Sequence, residues 1–314
     1  MNHYKISFFI IGAGRSGTTL LQSMLNAHPE ITIPPESHFF RNYVVSEIRG
    51  RRNKEPIQDV ADKLKEDEYL VRFEIDLDLL LKSFLQEGEQ FSFRLLFLKI
   101  LRSYAKKMGK RIVGEKDPTN SLFLKEIHTA YPDTFIFHII RDPRDVVLSK
   151  AKTPWGKNQS FFSHLISTID AFSNARENGL KYFSQKYIEI LYENLIEHPK
   201  RELQKICQAL DLEFHPNMLQ FYKQSSQIVA NDETQWKQNV FKPVIKSNTQ
   251  KGIHELPKWK IIFIEGACHK AFNEHGYQRS GYGGTFLRLF CKVLVNIFLI
   301  LRKIKRLVTK RLER

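Results

Sequence analysis

Cysteine and long apolar runs are scarce in this sequence. Its 314 residues include three cysteines, Cys207, Cys268 and Cys291, and no Cys-x-x-Cys pair. An odd number of scattered thiols excludes a disulfide framework and a zinc ribbon. The apolar stretch near the N-terminus, residues 6–11, ends at a glycine. It is too short for a signal-peptide core or for a spanning helix of about 20 residues, so we expect a cytoplasmic protein.

Acidic residues are also in deficit. The chain has 34 Asp and Glu against 49 Lys and Arg, a formal net charge of +15. Such a balance favours an anionic partner, whether nucleic acid, an acidic membrane surface or a phosphorylated ligand. Hydrophobic residues make up 42% and charged residues 26%, which is typical of a folded globular chain rather than a disordered one.

The order of apolar runs predicts an α/β protein. Residues 5–11 form a predicted buried strand, followed by a glycine loop and a helix from Thr18, which is how a doubly wound fold begins. Strand-like runs return, each before a helical segment, at 111–114, 134–140 and 186–191. Residues 41–110 have no strong strand pattern. We therefore predict a P-loop-like three-layer sandwich with a central parallel sheet and a helical cap insertion over 41–110.

The glycine loop, residues 12–19, has the glycine spacing of a Walker A motif, but Thr18 stands where that motif has lysine. Backbone amides of such a loop, together with a helix N-terminus, can bind a phosphate whatever the side chains are. Arg15 offers a cation in place of the missing lysine. The run Arg-Ser-Gly-Thr-Thr adds three hydroxyl groups at the helix start, which predicts a phosphate site.

Two further strands end in a cation followed by Asp-Pro. One gives Lys116-Asp117-Pro118 and the other Arg141-Asp142-Pro143. Helix capping explains the Asp-Pro pairs, because Asp caps helices and Pro suits the first turn. It does not explain the cations, which would stand at the carboxyl ends of parallel strands, where α/β folds bind ligands. Together with Arg15 they predict a site for a ligand with several anionic groups.

These motifs resemble those of sulfotransferases that use 3'-phosphoadenosine-5'-phosphosulfate (PAPS), in particular the tyrosylprotein sulfotransferase branch and its bacterial relatives. The resemblance covers roughly residues 5–37 and 111–280. It implies that Lys116 is catalytic and that Arg141 and Ser149 hold the 3'-phosphate. It also implies that Tyr192 lies near the nucleotide. The residues implied for the 5'-phosphosulfate are those of the loop: Arg15, Ser16, Gly17, Thr18 and Thr19.

The general base of that family is a glutamate about twenty residues beyond the loop arginine, which corresponds to Glu36 here. His38 is the alternative base, because imidazole titrates near neutral pH. One basic residue of the family's 3'-phosphate site corresponds to Thr153. Lys150 or Lys152 would have to replace it. The loop that closes over the cofactor falls at 241–243 or at 247–251.

The resemblance implies in-line transfer of a sulfuryl group from PAPS to a hydroxyl or amine, with no metal and no nucleic acid. Glu36 would take the acceptor proton, and Arg15 and Lys116 would meet charge on the leaving oxygen. A P-loop-type kinase of a small metabolite is the first alternative, although it requires lysine at Thr18 and a strand-end Asp for magnesium. The second is a non-catalytic binding protein with a nucleotide fold. Peptide tyrosine, saccharides, lipids and small phenols all stay open as acceptors.

The last thirty residues, 285–314, differ from the rest. They contain nine Lys and Arg and one Glu, about half of the net charge, and apolar residues recur in them at helical spacing. We predict a basic amphipathic helix, separate from a sulfotransferase domain over 1–284. Its uncharged run, 293–301, is shorter than a membrane span. We expect it to lie on an anionic membrane, on the inner face. Packing against the domain, or against a second chain in a homodimer, is an equally weighted alternative.

Overall fold

A computed structural model describes residues 6–51, 57–86, 91–225 and 234–312, apart from the side chains of 57–59, 83, 85, 86, 236 and 303–312. The chain forms two compact units. The larger comprises Met1–Ile140 and Ala171–Lys246, and the smaller comprises Arg141–Asp170 and Ser247–Arg314. Each is described on its own below.

The larger unit contains a parallel sheet of five strands in the order β2-β3-β1-β4-β5. The strands are Phe8–Gly12 (β1), Ile31–Thr32 (β2), Ile112–Lys116 (β3), Phe135–Ile140 (β4) and Tyr187–Leu191 (β5). The four strands predicted from the sequence are confirmed. β2 was not predicted, because two residues carry no periodicity that sequence patterns can reveal.

Helices connect the strands and form the remaining layers of this unit. The α-helices are Thr18–Asn26 (α1), Val45–Ile48 (α2), Ile57–Lys65 (α3), Leu77–Gln86 (α4), Phe93–Lys107 (α5), Leu124–Ala130 (α6), Tyr192–Glu197 (α9), Pro199–Ala209 (α10) and Thr234–Lys237 (α11). A π-helical turn covers Phe40–Val44, and 3₁₀ turns cover Val71–Phe73, Pro118–Leu122, Ser184–Lys186, Pro216–Lys223 and Gln238–Phe241. A long helix, Phe161–Phe183 (α8), begins in the smaller unit and ends in the larger one.

The sheet is buried on both faces, which explains why its strands are almost continuously apolar. Phe9 and Ile11 point to one side, where they join a core formed by the helical insertion, α5 above all. Phe8 and Ile10 point to the other side and pack with α1 and α10. The described part of residues 41–110 is helical, as predicted, and it forms one outer layer of a three-layer sandwich.

The described residues of the smaller unit form helices joined by turns, without a strand. Besides the start of α8 it contains Pro143–Ala151 (α7), Lys251–Glu255 (α12), Lys258–Ala267 (α13), His269–His275 (α14) and Gly284–Leu312 (α15). Asp142 caps α7, since its Oδ1 accepts a hydrogen bond from the amide of Arg144 at 2.8 Å, with Pro143 in the first turn. The core contains Val147, Leu165, Ile264, Phe272 and Val295.

The C-terminal helix α15 begins at Gly284, at the predicted start of the tail. The segment Gly284–Arg302 has a mean hydropathy of 1.9, and its length and composition suffice to cross a membrane. The sequence reasoning counted only the uncharged run 293–301 and so underestimated this segment. Only 11% of it is buried, so it is not a core helix. The separation of a sulfotransferase domain from a tail at residue 284 stays a prediction.

Candidate active site

The glycine loop connects β1 to α1. Gly17 has φ 107° and Arg15 has φ 75°, so both lie in the left-handed region, which is unfavourable for a residue with a side chain such as Arg15. α1 begins at Thr18, and no side chain caps its N-terminus. The first amides of a helix have no intrahelical partner, so this end of α1 can bind an anion.

Tyr192 packs directly on the loop. It follows β5 as the first residue of α9 and is buried. A Cβ atom at Gly17 would overlap the ring of Tyr192. Gly17 is therefore required twice, by its backbone angle and by the close approach of the aromatic ring. The structure thus brings together two elements that the sequence assigned to the nucleotide, the loop and Tyr192.

Lys116 and Glu36 form an ion pair in which Lys116 Nζ donates to Glu36 Oε1. Lys116 is the last residue of β3 and its side chain is buried. A second ammonium group, that of Lys237, lies 3.5 Å from the same oxygen. Burial alone would raise the pKa of Glu36, but the charges of Lys116 and Lys237 outweigh it and lower the pKa to about 2. Glu36 is therefore ionised at neutral pH.

His38 forms a second pair beside the first. Its Nδ1 lies 2.7 Å from Asp117 Oδ2, and its backbone has φ 54°. Because a carboxylate only accepts hydrogen bonds, Nδ1 carries the proton and Nε2 is left as the acceptor in the neutral ring. Asp117 Oδ1 also accepts from the amide of Thr119 at 2.9 Å. Asp117 thus caps the following turn, as predicted, and orients the imidazole as well.

Glu36, His38 and Asp117 each offer one ligand atom, and these atoms lie within 4.8 Å of one another. It is the one group of this kind within the described ranges. A cation bound there would have to displace the ammonium groups of Lys116 and Lys237 from Glu36. The arrangement therefore suits an anion and a transferable proton better than a metal ion.

Sequence reasoning did not find Lys237. It ends α11, far along the chain from Glu36, and nothing in its local sequence distinguishes it from the other lysines. The pairing of His38 with Asp117 was also missed, because each residue had a sufficient local explanation. Both features arise from long-range contacts of β3 and the segment after β2, which a single sequence does not reveal.

In the smaller unit Arg141 directly precedes the residue that caps α7. Its Nη2 donates to the carbonyl of Asn248 at 2.8 Å and lies 3.4 Å from Asp145 Oδ2. Asp145 Oδ1 in turn accepts from the amide of Gly252 at 2.6 Å. Of the two segments predicted as closing loops, 247–251 therefore contacts Arg141. Burial raises the pKa of Asp145, with the Arg141 charge opposing that rise.

The other residues predicted around the 3'-phosphate lie on or after α7. Ser149 is half-buried in the last part of that helix. Lys150 is buried and donates to Ser167 Oγ at 2.8 Å and to Thr168 Oγ1 at 2.9 Å. Burial lowers its pKa to about 8. Lys152 pairs with Glu255, so each of these lysines already has partners within the smaller unit.

The comparison with known proteins agrees with this architecture. A family model described as "Sulfotransferase family" matches residues 7–216, two thirds of the chain. The chain belongs to the sulfotransferase family. The match includes the glycine loop, the Glu36–Lys116 pair and Tyr192.

Individual relatives are distant. A Caenorhabditis briggsae protein provisionally named protein-tyrosine sulfotransferase is 23% identical over 241 residues, which cover 74% of this chain and 75% of that protein. Nodulation protein NoeE of Sinorhizobium fredii is 25% identical over 224 residues, 64% of this chain. This chain spans about half the length of NoeE (49%).

Among solved structures, the sulfotransferase domain from the curacin biosynthetic pathway is similar with a TM-score of 0.58 at 20% sequence identity. The similarity covers 87% of this chain and 98% of that domain. At this identity it establishes the fold, which is the predicted α/β fold with a central parallel sheet.

Proposed function

We propose that this sulfotransferase moves the sulfuryl group of PAPS to a hydroxyl or amine acceptor. The ion pair between the buried Lys116 and the half-buried Glu36 carries the proposal. It sits at the carboxyl end of β3, and Lys116 is paired in register with Ile10 of β1, two residues before the glycine loop begins. A cation and an ionised carboxylate thus flank the position where the loop would hold a phosphate.

The residues of the loop fit the 5'-phosphosulfate. The hydroxyl of Ser16 is buried and has no hydrogen-bond partner among the described residues, so it is ready to donate to an oxygen of the donor. The uncapped start of α1, with Thr18 and Thr19, offers backbone amides. Arg15 supplies the charge that a Walker A lysine supplies elsewhere. Arg141 and Ser149 would hold the 3'-phosphate, as the resemblance implies.

In the proposed reaction the acceptor oxygen attacks sulfur, and the bond between sulfur and the 5'-phosphate oxygen breaks. The acceptor proton passes to Glu36, and Lys116 and Arg15 donate to the departing oxygen. A well-placed general base contributes about 10²–10⁴-fold in rate. One preorganised donor to the developing charge contributes roughly 10²–10³-fold.

Glu36 is a weak base while two lysines hold its carboxylate. A pKa of about 2 lies far from the operating pH, where a general base is most effective. When the donor is bound, its anionic groups would share the ammonium group of Lys116 with Glu36. The Glu36 carboxylate would then be stabilised less, which would raise its basicity. His38 is the alternative base, because a carboxylate-oriented imidazole suits proton transfer at neutral pH.

Two other functions have less support. A small-metabolite kinase needs a cation at Thr18 and a strand-end carboxylate for magnesium, and here Arg141 follows β4 while Asp142 caps α7. A non-catalytic binding protein has no use for an ionised Glu36 between two lysines, since that carboxylate would weaken the binding of any anion.

Thermal unfolding with adenosine 3',5'-bisphosphate, ADP and magnesium ATP tests the proposal. A ligand at 100 times its dissociation constant stabilises the fold by about 2.7 kcal/mol. We expect stabilisation by the bisphosphate that is lost in Arg141→Ala and kept in Arg201→Ala, which removes an exposed arginine of α10. Stabilisation by magnesium ATP alone would favour the kinase. No stabilisation by any of the three would favour the binding protein.

A further inference from the structure

The helix α15 has one face packed on its own unit and an opposite face that is apolar and exposed. On the packed side Cys291 and Val295 are buried, and Gly266 of α13 touches the backbone of Arg288 so closely that a Cβ there would overlap it. Large apolar side chains cover the outer side with exposures from 41% to 84%: Phe286, Leu287, Leu289, Phe290, Val293, Leu294, Ile297, Phe298, Ile300 and Leu301. We call these ten residues the outer face.

Ion pairs fix this orientation. Arg288 Nε lies 3.0 Å from the buried carboxylate of Glu265, and Arg302 Nη1 lies 2.8 Å from Asp170 Oδ2. Arg288 and Arg302, which would ordinarily face water, therefore bind acidic residues of the smaller unit near the two ends of the segment. The sequence predicted an amphipathic helix, and the structure turns its apolar side outward.

An outer face of this size requires an occupant. Contiguous apolar patches of more than a few hundred Å² are rare on monomeric soluble proteins and mark interaction sites. Residues 286–301 extend over about 24 Å along the helix axis, at about 1.5 Å per residue. The segment is long and apolar enough for a bilayer, but Glu265 and Asp170 hold its polar side, so it cannot be surrounded by lipid in this conformation.

Aromatic and lysine side chains lie near the start of α15. Trp259 of α13 is 49% exposed, with Lys260 Nζ 5.4 Å from its ring centroid. Lys258 Nζ lies 5.3 Å from the ring of Tyr282, just before α15. Gly283 packs against Ile262, which brings α13 close to the start of α15. Tryptophan, tyrosine and lysine are the residues that accumulate at the boundary between lipid and water.

The charge of the C-terminal sequence favours a lipid surface over a second copy of the chain as the partner of the outer face. Residues 303–314 contain six Lys and Arg and one Glu, and the tail from 285 has nine against one, a net +8. Two copies joined through their outer faces would each carry a net charge of +15, and like charges disfavour that contact. Anionic lipid headgroups attract each basic residue near the surface by about 1 kcal/mol.

We propose that α15 lies in the plane of an anionic membrane, with its outer face in the boundary between headgroups and acyl chains, and that the positive charge of the C-terminal sequence attracts it to anionic headgroups. Trp259 and Tyr282 anchor the same unit at the interface. This proposal is independent of sulfuryl transfer. It makes α15 a helix that lies in the membrane interface rather than one that spans the bilayer.

Co-sedimentation of the full-length protein with vesicles tests the proposal. The probes are vesicles of phosphatidylcholine alone and of phosphatidylcholine mixed with phosphatidylserine. We expect binding to the anionic vesicles that weakens as salt rises, with little binding to the neutral ones. The triple variant Phe286→Ser, Phe290→Ser, Ile297→Ser should lower the partition coefficient by about tenfold or more.

The control is a triple variant of three exposed apolar residues of the larger unit, Val71→Ser, Leu79→Ser and Leu180→Ser, which should bind as the wild type does. Circular dichroism and thermal unfolding establish that both variants fold. Equal loss of binding in both variants would overturn the proposal. A salt-stable dimer with no vesicle binding would also overturn it and assign the outer face to a second copy. Vesicle binding that resists high salt and alkaline carbonate would overturn the in-plane arrangement in favour of a span.

Discussion

Lys237 Nζ lies 3.5 Å from Glu36 Oε1, on the carboxylate oxygen that also accepts a hydrogen bond from Lys116. Lys116 has a proposed role on the leaving oxygen, whereas Lys237 has no such role. Its effect on Glu36 is electrostatic, because its positive charge stabilises the ionised carboxylate. Lys237 therefore contributes, after Lys116, to the low pKa of Glu36.

Replacing Lys237 by Met should raise the pKa of Glu36, because one of its two neighbouring cations is removed. If Glu36 is the base, the acid limb of the kcat–pH profile moves to higher pH in this variant. Lys125→Met is the control, since Lys125 is an exposed lysine of α6 in the same unit. An acid limb at the same pH in all three proteins would contradict an electrostatic role for Lys237.

The two candidate bases can be separated by matched amides. Glu36→Gln keeps the shape of the side chain and removes its basicity, so turnover should fall by about 10²–10⁴-fold. The affinity for adenosine 3',5'-bisphosphate, measured by calorimetry, should stay nearly unchanged. His38→Gln should lower turnover much less. A larger loss of turnover in His38→Gln than in Glu36→Gln would assign the proton transfer to His38, with Asp117 as its orienting partner.

Glu36 should also make the protein sensitive to acid. Its pKa is about 2 in the folded chain against 4.5 in a model compound, so its contribution to stability is complete above about pH 5. That contribution decreases as the pH falls toward 2, because the unfolded chain binds the proton first. Between pH 7 and pH 3 the loss amounts to about 2 kcal/mol.

The measurement for this prediction is urea unfolding of the wild type and of Glu36→Gln at both pH values. The difference in unfolding free energy between the two proteins should decrease by about that amount at pH 3. A constant difference would mean that Glu36 titrates at an ordinary pH.

Gly17 should tolerate no side chain. Gly17→Ala places a methyl group against the ring of Tyr192 at a backbone φ of 107°. We expect the affinity for the bisphosphate to fall by about tenfold or more, because loop and ring must separate. Gly109→Ala is the matched control, with φ 64° and open space around the added Cβ. It should cost about 1 kcal/mol of stability and leave the affinity unchanged.

Sequence patterns predicted the parts of this protein that depend on neighbouring residues. β1, β3, β4 and β5 begin in or near apolar, β-branched and aromatic residues that follow one another along the chain, and the glycine loop and the two Asp-Pro turns are short motifs with their own local geometry. Lys116 and Glu36 were both expected at the site because the resemblance supplied their roles. The structure adds Lys237 and the pairing of His38 with Asp117 to the residues expected there.

What the sequence did not reveal depends on contacts between distant segments. The two residues of β2 become a strand only because β3 offers them a partner. The orientation of α15 was open as well, because apolar periodicity alone does not say which side is covered. The buried carboxylate of Glu265 and the nearby Asp170 decide it, and neither stands out from the other acids of the sequence.

The buried hydroxyl of Ser16 gives the glycine loop a thermodynamic character of its own. Since it has no hydrogen-bond partner among the described residues, burying it costs about 1–3 kcal/mol of folding free energy. An alanine at this position would avoid that cost, so the protein should be more stable but should bind the proposed donor less tightly. Under the proposed function this cost is the counterpart of donor binding, and screens for thermostable variants should recover changes at Ser16 that lower turnover.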